Sequence, residues 1–415
     1  MTPALTSPVK CGVRICDGPL SPYIALYRAK LEGLGYTPAL VLYHLRLFAK
    51  LDLWLLRKKE RLWWLNEKKV DGFLKRLRAK HPSVCRGAPS ALRLLLTVLR
   101  DIGVVAPKRK PVATSPAERL ANQYRVYLRE ERGLDRATIN NYSRHVDRFL
   151  AEQFGSRPVN LRAIGVFDIG TFVRRHAPRH GRDWAAQMVT GLRSFFRFAQ
   201  LRGVIKSNLA ALVPSVPSWE MSGPPKHLPT EAVRRVLSVS ACNRSTVKGK
   251  RDYAILLLLA RLGLRAGEIV ALQLDDIDWP NGELIVRSKK GDGWARSPLP
   301  VDVGRALERY LMVRPPSPYR NVFVRGYAPY TPFVASGPIS VLVRKAIEKA
   351  GVKSARTGAH IFRHSLATEM LRRGASLAEI GHVLRHRDPD STAIYAKVDL
   401  EALRELALPW PGGAQ

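Results

Sequence analysis

The sequence predicts a mainly α-helical protein with one small antiparallel β-sheet toward its C-terminal end. Apolar residues recur at helical spacing through most of the chain, as in residues 139–150. Alternation of apolar and polar residues, which is typical of a strand, stands out at residues 282–287 after an Asn-Gly turn signal. Residues 296–301 are the candidate partner strand, which their prolines limit to a sheet edge.

Two proline-containing linkers, residues 106–117 and 213–229, divide the chain into three parts. We call residues 1–105 the N-terminal block, residues 115–212 the middle block and residues 226–408 the C-terminal block. At 415 residues the chain has the length expected of two or three domains.

The middle block predicts an all-α domain. Ser115-Pro-Ala-Glu118 has the residue types of a helix capping box, and Asp135 is placed to cap a second helix. A third helix is expected near Trp184–Leu201, ending at Gly203.

The N-terminal block resembles a second copy of the middle block. Equivalent residues recur about 100 positions apart, at Leu92 and Leu192, Gly103 and Gly203, and Thr37 and Asp135. The pattern favours duplication of one helical unit over chance similarity. The N-terminal block would then be an extra helical domain and a duplicate of the middle one.

The C-terminal block mixes helices with the predicted sheet. Thr230 is expected to cap an amphipathic helix through Leu237, and Ala254–Leu262 reads as a buried helix. Further helices are expected at Ser340–Lys349 and His360–Arg373.

Charge is the most unusual feature of the composition. The chain has 69 Lys and Arg against 34 Asp and Glu, a formal net charge of +35. The surplus occurs in all three blocks, so each could contribute to one long surface for a polyanion, most often nucleic acid. The four cysteines do not fit a zinc or disulfide pattern, and the apolar runs are too short to cross a membrane. We therefore expect a cytoplasmic protein that acts without membrane contact.

Four segments of the C-terminal block carry polar residues in a recognisable order. They are Leu262-Gly-Leu-Arg-Ala-Gly-Glu-Ile-Val-Ala-Leu272, Ser288-Lys-Lys-Gly-Asp-Gly293, His360-Ile-Phe-Arg-His-Ser-Leu-Ala-Thr368 and Leu384-Arg-His-Arg-Asp-Pro-Asp-Ser-Thr-Ala-Ile-Tyr395. Together they resemble the catalytic domain of the tyrosine recombinases, also called the phage integrase family. The middle block is similar to that family's helical core-binding domain. The resemblance implies that the middle and C-terminal blocks form a C-shaped clamp on duplex DNA.

Breaking a DNA phosphodiester requires a nucleophile and stabilisation of the charge that builds on phosphorus. The phenol of Tyr395 can supply the nucleophile and form a reversible phosphoester. Arg265 and Arg363 suit the non-bridging oxygens, because guanidinium is always charged and can contact phosphate bidentately. His360 precedes Arg363 by three residues, which places both on one helix face.

The resemblance assigns roles to the remaining site residues. His360 would accept a proton or donate a hydrogen bond to the phosphate, and His386 would be a second donor to it. Lys290 is our choice for the acid that protonates the 5′-oxygen leaving group, with Lys289 as its rival. Glu268 would position Arg265. His364 and His382 do not fall on motif positions and are not selected.

One residue departs from the family pattern. Glycine usually precedes the second histidine, but here that residue is Arg385. A positive φ at this position would strain an arginine. Either the local helix continues by one residue or the site is altered, and a fifth basic group beside the phosphate is a further alternative.

The predicted function is site-specific DNA recombination through a 3′-phosphotyrosyl intermediate and a Holliday junction, for integration, excision or transposition of a mobile element. Neither a metal nor another cofactor is expected. The expected partners are duplex DNA and other copies of the chain in a tetramer; the need for partner recombinases is left open. So is the role of residues 397–408, which could pack on a neighbouring protomer or on their own core. A type IB topoisomerase and a catalytically silent DNA-binding regulator remain alternatives.

Overall fold

A computed structural model describes residues 18–80, 87–108, 115–155, 157–215, 226–287, 293–354, 356–386, 388 and 390–398. Lys289, Lys290 and the tail beyond residue 398 therefore lie outside the described residues. Within the described ranges, no helix is long and apolar enough to cross a membrane. The expected class is confirmed: the fold is mostly helical with one three-stranded antiparallel sheet.

The described residues of the N-terminal block form four α-helices around an apolar core of their own. Thr37 precedes the longest of them in an extended conformation, and that helix ends where Lys59 turns left-handed. Its buried side chains, among them Phe48, Leu51 and Leu55, pack with those of the last helix. The helices are α1 (Ile24–Gly33), α2 (Pro38–Lys58), α3 (Glu67–Lys80) and α4 (Ala88–Asp101).

The part of the middle block that the structure describes also has four α-helices, one more than expected because α7 was not predicted: α5 (Pro116–Glu130), α6 (Arg136–Phe154), α7 (Val166–His176) and α8 (Arg182–Leu201). Both predicted caps are present. Ser115 and Glu118 form a reciprocal capping box on α5, and the Asp135 carboxylate accepts from the backbone N–H groups of Ala137 and Thr138. These contacts satisfy N–H groups that the first helical turn leaves without partners.

The N-terminal and middle blocks share one order of elements. In each, the second and third helices are joined through a short 3₁₀ turn, at Leu62–Trp64 and at Leu161–Ala163. The last helix of each ends at a glycine with positive φ, 74° at Gly103 and 69° at Gly203. The shared order and matching ends support duplication, which stays a prediction about ancestry.

The C-terminal block surrounds the largest core. Ile255 and the four leucines that follow it in helix α10 (Val247–Arg261) occupy its centre, because that helix is apolar on all sides over residues 254–259. The helices are α9 (Thr230–Ala241), α10 (Val247–Arg261), α11 (Ala266–Ala271), α12 (Val301–Leu311), α13 (Gly337–Lys349), α14 (His360–Arg372), α15 (Leu377–Leu384) and α16 (Asp390–Ala393), followed by a 3₁₀ turn at Ile394–Val398.

The sheet joins three short strands in the order β1 (Ile277–Asp278), β2 (Glu283–Arg287) and β3 (Trp294–Pro298). Leu284 lies opposite Ile277 on one side and Ser297 on the other. The partner strand begins two residues earlier than predicted and ends at Pro298, and it lies at an edge of the sheet as predicted. The prolines at 298 and 300 lack the N–H that a longer ladder would need.

The described residues between 108 and 222 form one compact unit, and those before 108 and after 222 form a second. Within the second unit, the N-terminal block touches the C-terminal block where the Tyr330 ring packs on Gly35. A Cβ added to Gly35 would lie 2.6 Å from that ring.

Candidate active site

Arg265 and Glu268 form a local pair at the start of α11. Glu268 is 8% exposed and accepts from both the Arg265 backbone N–H, at 2.9 Å, and Arg265 Nη1, at 2.8 Å. The side chain of Arg265 remains 39% exposed. Nη2 of Arg265 donates to the Arg385 carbonyl at 3.4 Å, so two contacts fix a guanidinium group that is still partly open to solvent.

Arg363 lies beneath this pair and joins distant segments. It is 4% exposed, and its Nη1 donates to the Gly263 carbonyl at 2.6 Å. Nη2 donates to the Leu384 carbonyl, at the C-terminal end of α15. Arg363 therefore ties α14 both to the segment that carries Arg265 and to the segment that carries His386.

Burial, together with the charge of Arg265, lowers the pKa of Arg363 to about 10. Arg363 stays protonated at neutral pH because that value is still well above 7. The two guanidinium groups are close enough to repel each other, and Glu268 offsets part of that repulsion. A bound phosphate would offset the rest.

Arg385 occupies a left-handed conformation at the end of α15, with φ 56° and ψ 48°. The helix does not continue, so the first of the two expected alternatives is wrong and the strained arginine is what the structure shows. Nη1 donates to the Val383 carbonyl at 3.0 Å and Nη2 to the Leu262 carbonyl at 3.3 Å, while Nη2 also lies 3.5 Å from Glu268 Oε2.

His386 is fixed on both its backbone and its ring. Its N–H donates to the Gly381 carbonyl at 2.9 Å, and Nδ1 lies 2.6 Å from Thr392 Oγ1. Burial, with help from Arg363 and Arg265, lowers the pKa of His386 to about 4. The neutral ring can donate to phosphate through Nε2 when Nδ1 accepts from the threonine hydroxyl.

Tyr395 is 1% exposed and packs among Ala367, Ile380 and Leu384. Its Oη lies 2.9 Å from Nδ1 of His364. Its ring is parallel to that of His386, with centroids 6.4 Å apart and 3° between the planes. Burial raises the pKa of Tyr395, while Arg363 and Arg265 act in the opposite direction.

His360 begins α14 and stays accessible to solvent. Neighbouring protein still removes enough water to lower its pKa, and the charges of Arg363 and Arg265 add to the effect. His360 therefore lies within electrostatic reach of both arginines. Its role at the phosphate stays a prediction.

A cleft of about 810 Å³ opens beside these groups. Its lining includes Arg265, Glu268, Arg385 and His386 from the helical segments, and Trp294 from the hairpin. The hairpin turn expected to carry Lys290 joins β2 to β3, and both lysine candidates are outside the described residues. The role of the lysine stays a prediction.

The structure adds partners that the sequence did not identify. His364 is hydrogen-bonded to Tyr395 although it was not selected, and Thr392 supports His386. For His364, the available signal was its spacing of one helical turn from His360. No local signal pointed to Thr392.

The arrangement suits phosphoryl transfer to a tyrosine. Two guanidinium groups, two imidazoles and a phenol converge from α11, α14 and the segment from α15 to the 3₁₀ turn. Fixed positive charge beside a phosphate stabilises the extra negative charge of its transition state. Among the described residues, no group of three or more His, Cys, Asp or Glu side chains could hold a metal ion.

Comparison with known proteins agrees with this geometry. Residues 227–401 match the family described as "Phage integrase family", and residues 121–203 match "Phage integrase, N-terminal SAM-like domain". The Sinorhizobium fredii protein named "Putative integrase/recombinase y4rA" is 42% identical over 402 residues, 96% of each chain. Tyrosine recombinase XerA of Thermococcus onnurineus is 32% identical over 68% of this chain and 92% of its own.

Solved structures show the same fold. XerH bound to a palindromic difH substrate, in a post-cleavage complex, matches with a TM-score of 0.55 at 16% identity, over 93% of this chain and 96% of its own. A lambda integrase tetramer bound to a Holliday junction matches with a TM-score of 0.54 at 16% identity, over 73% of this chain and 85% of its own. With the two domain matches and the near full-length identity to y4rA, the chain belongs to the phage integrase family of tyrosine recombinases.

Proposed function

We propose that this chain cuts and rejoins duplex DNA at defined sites, with Tyr395 as the nucleophile. The observation that carries the proposal is the convergence of Arg265, Arg363, His386 and Tyr395 from separated segments onto one site. Membership of a strand-transferring family supports the same reaction.

In this reaction Tyr395 Oη attacks a backbone phosphorus and the bond from phosphorus to the 5′ oxygen breaks. A 3′-phosphotyrosyl bond and a free 5′-hydroxyl result. Arg265 and Arg363 would stabilise the phosphorane charge, and His386 would donate to a non-bridging oxygen. Lys290, or Lys289 in its place, would protonate the departing oxygen. Attack by the 5′-hydroxyl of a partner duplex completes the exchange without ATP or a cofactor.

The proposal requires a local movement around the nucleophile. Tyr395 is 1% exposed, so its hydroxyl cannot reach a phosphate until α16 and the following 3₁₀ turn shift. These elements are short, and among the described residues the cluster around Tyr395 has three other buried apolar members, with six partly buried ones packed against them. A small cluster of this kind opens at lower cost than the main core.

For assembly we propose four protomers on two synapsed sites, with exchange through a Holliday junction. The lambda integrase of similar fold forms such a tetramer on a junction. We further propose that the chain moves a mobile element and acts in the cytoplasm. Because the need for partner recombinases is left open, the assay described below is run first with this chain alone.

The N-terminal block offers a separate surface for DNA. Trp63 and Trp64 are 48% and 56% exposed at the 3₁₀ turn after α2. The preceding segment carries Arg57, Lys58 and Lys59, all exposed, and each lacks an acidic partner among the described residues. Exposed cations beside exposed aromatic rings fit a phosphate backbone and the sugars or bases next to it. We propose that this surface contacts duplex DNA flanking the exchange site.

The two alternatives make different predictions. A type IB topoisomerase would relax supercoiled DNA of any sequence as a monomer, whereas this chain should act at defined sites. A silent regulator would bind DNA and leave no covalent link. The match to integrases and Xer recombinases favours the first proposal over both.

Covalent trapping tests the proposal. The protein is incubated with nicked suicide duplexes from DNA flanking its own gene, denatured in SDS and resolved on a gel. We expect a protein–DNA adduct that Tyr395→Phe abolishes and that the matched control Tyr327→Phe, at a 66% exposed tyrosine, retains. Tight binding without an adduct would support the silent regulator instead.

A further inference from the structure

The residue that touches the nucleophile is not one that the family pattern selects. His364 Nδ1 lies 2.9 Å from Tyr395 Oη, and the two rings are 5.7 Å apart at a tilt of 55°. We propose that this contact is kept when α16 and the following 3₁₀ turn shift, and that His364 accepts the phenolic proton as Tyr395 attacks phosphorus, an assignment that rests on the proposed function.

The direction of the hydrogen bond follows from the two environments. Burial keeps the phenol protonated by raising its pKa, so Tyr395 carries a proton to donate. Burial also lowers the pKa of His364 to about 4, so the imidazole is neutral at physiological pH. A neutral ring with its proton on Nε2 presents Nδ1 as an acceptor.

Besides burial, four charged or titratable groups lower the pKa of His364, while Tyr395 faces it as its hydrogen-bond partner. His360 and Arg363 belong to its own helix, while Arg356 and His227 reach it from neighbouring segments. A phosphate bound near Arg363 would cancel part of this positive field. Substrate binding would therefore strengthen His364 as a base at the moment when the base is needed.

His360 is placed for a different task. It lies one helical turn before His364, on the accessible side of α14, where Arg265, Arg363 and Glu268 influence its pKa. His360 would then contact the phosphate, whereas His364 would accept the proton of the nucleophile.

The proposed step balances. The bond from Tyr395 Oη to phosphorus forms, the bond from phosphorus to the 5′ oxygen breaks, and the phenolic proton moves to His364 Nδ1. The 5′ oxygen leaves with a proton from the lysine acid. On rejoining, the incoming 5′-hydroxyl gives its proton to that lysine, and His364 returns its proton to the departing phenol.

The test distinguishes a residue that accepts the proton of the nucleophile from one that protonates the leaving group. Suicide duplexes are made with either oxygen or sulfur at the bridging 5′ position, because a thiolate leaves without a proton. Single-turnover cleavage is measured for wild type, His364→Asn and Lys290→Ala. Asn can accept the hydrogen bond of the phenol through Oδ1 but cannot take its proton.

We expect His364→Asn to cleave roughly 10²- to 10⁴-fold more slowly on both substrates, the usual contribution of general acid–base catalysis. Lys290→Ala should recover on the sulfur substrate. Cleavage by His364→Asn at the wild-type rate, or its recovery on sulfur, would overturn the proposal.

Two controls keep the result interpretable. If thermal unfolding shows that His364→Asn is unfolded at the temperature of the cleavage assay, His364→Gln is measured in its place. The wild-type adduct and its loss in Tyr395→Phe are read on the same gel. An active wild type with an unaffected His364 variant refutes only the base, whereas a wild type that forms no adduct refutes the proposed function.

Discussion

The left-handed arginine gives the most quantitative prediction. Arg385 sits at φ 56°, a conformation in which an L side chain costs roughly 1–2 kcal/mol relative to the right-handed region. Glycine avoids that cost, although its unfolded chain has more conformational entropy to lose, by about 0.5–1 kcal/mol. We therefore expect Arg385→Gly to be more stable than Arg385→Ala by about 1 kcal/mol.

The comparison of the two variants is informative because both remove the same contacts. Each loses the bonds from the guanidinium to the Val383 and Leu262 carbonyls and the ion pair with Glu268. Each also removes the Arg385 Nε, a buried donor without a partner in the described structure. These gains and losses cancel in the difference, which leaves the backbone strain.

The assay is thermal unfolding of the full chain, followed at the transition that shifts in Arg385→Ala. A difference of 1 kcal/mol moves the midpoint by about 2–4 °C for a unit of 150–250 residues. The matched control is Lys345 on the exposed face of α13, where Gly should be less stable than Ala by about 1 kcal/mol. Equal midpoints for Arg385→Gly and Arg385→Ala, with the expected order at Lys345, would refute the strain argument.

Three further predictions concern acid stability, the arginine pair and the DNA surface. His145 is 3% exposed with a pKa lowered to about 4 by burial, so stability should fall as pH drops from 6.5 toward 4. His145→Gln should flatten the pH dependence of the unfolding free energy, measured by urea titration, by up to about 1.4 kcal/mol per pH unit. Glu268→Gln leaves the guanidinium groups of Arg265 and Arg385 without their carboxylate. We therefore expect slower single-turnover cleavage and a loss of roughly 3 kcal/mol in the free energy of unfolding. An unchanged cleavage rate would contradict the role of Glu268 in positioning Arg265. Charge reversal at Lys58 and Lys59 should reduce the salt dependence of binding to long duplexes by about 2 in log–log slope, with little effect on a minimal core site.

Most signals confined to a few residues predicted the structure well, but the expected Thr230 cap was wrong: Thr230 is the first residue of α9 and its hydroxyl donates to Glu369 instead. The Ser115 capping box and the Asp135 cap are present as expected, because each depends on contacts within one helical turn. The sheet edge also follows from local chemistry, since a proline cannot donate to a strand on that side. In contrast, α7, α11, α12, α15 and α16 were not predicted from the sequence, because short or interrupted apolar patterns do not distinguish a helix from a loop.

The motifs predicted residues that the structure brings together, but not the contacts between them, and the catalytic roles assigned to these residues stay predictions. The motifs located Arg265, Arg363, His386 and Tyr395, yet the partner of the nucleophile, His364, is 31 residues away along the chain. Such a contact depends on how α14 packs against the final 3₁₀ turn, which no local pattern encodes. The left-handed state of Arg385 was considered only as one alternative, since its stability depends on carbonyls from Leu262 and Val383 that accept from its side chain.

Identification of the covalent link is the most direct test of the central claim. After trapping on a suicide duplex, the adduct is digested with nuclease and trypsin and the modified peptide is sequenced by mass spectrometry. The account predicts a 3′-phosphonucleotide on Tyr395 and a free 5′-hydroxyl on the released strand. A nucleotide on another residue, a 5′-phosphotyrosyl link or hydrolysis without any link would contradict it.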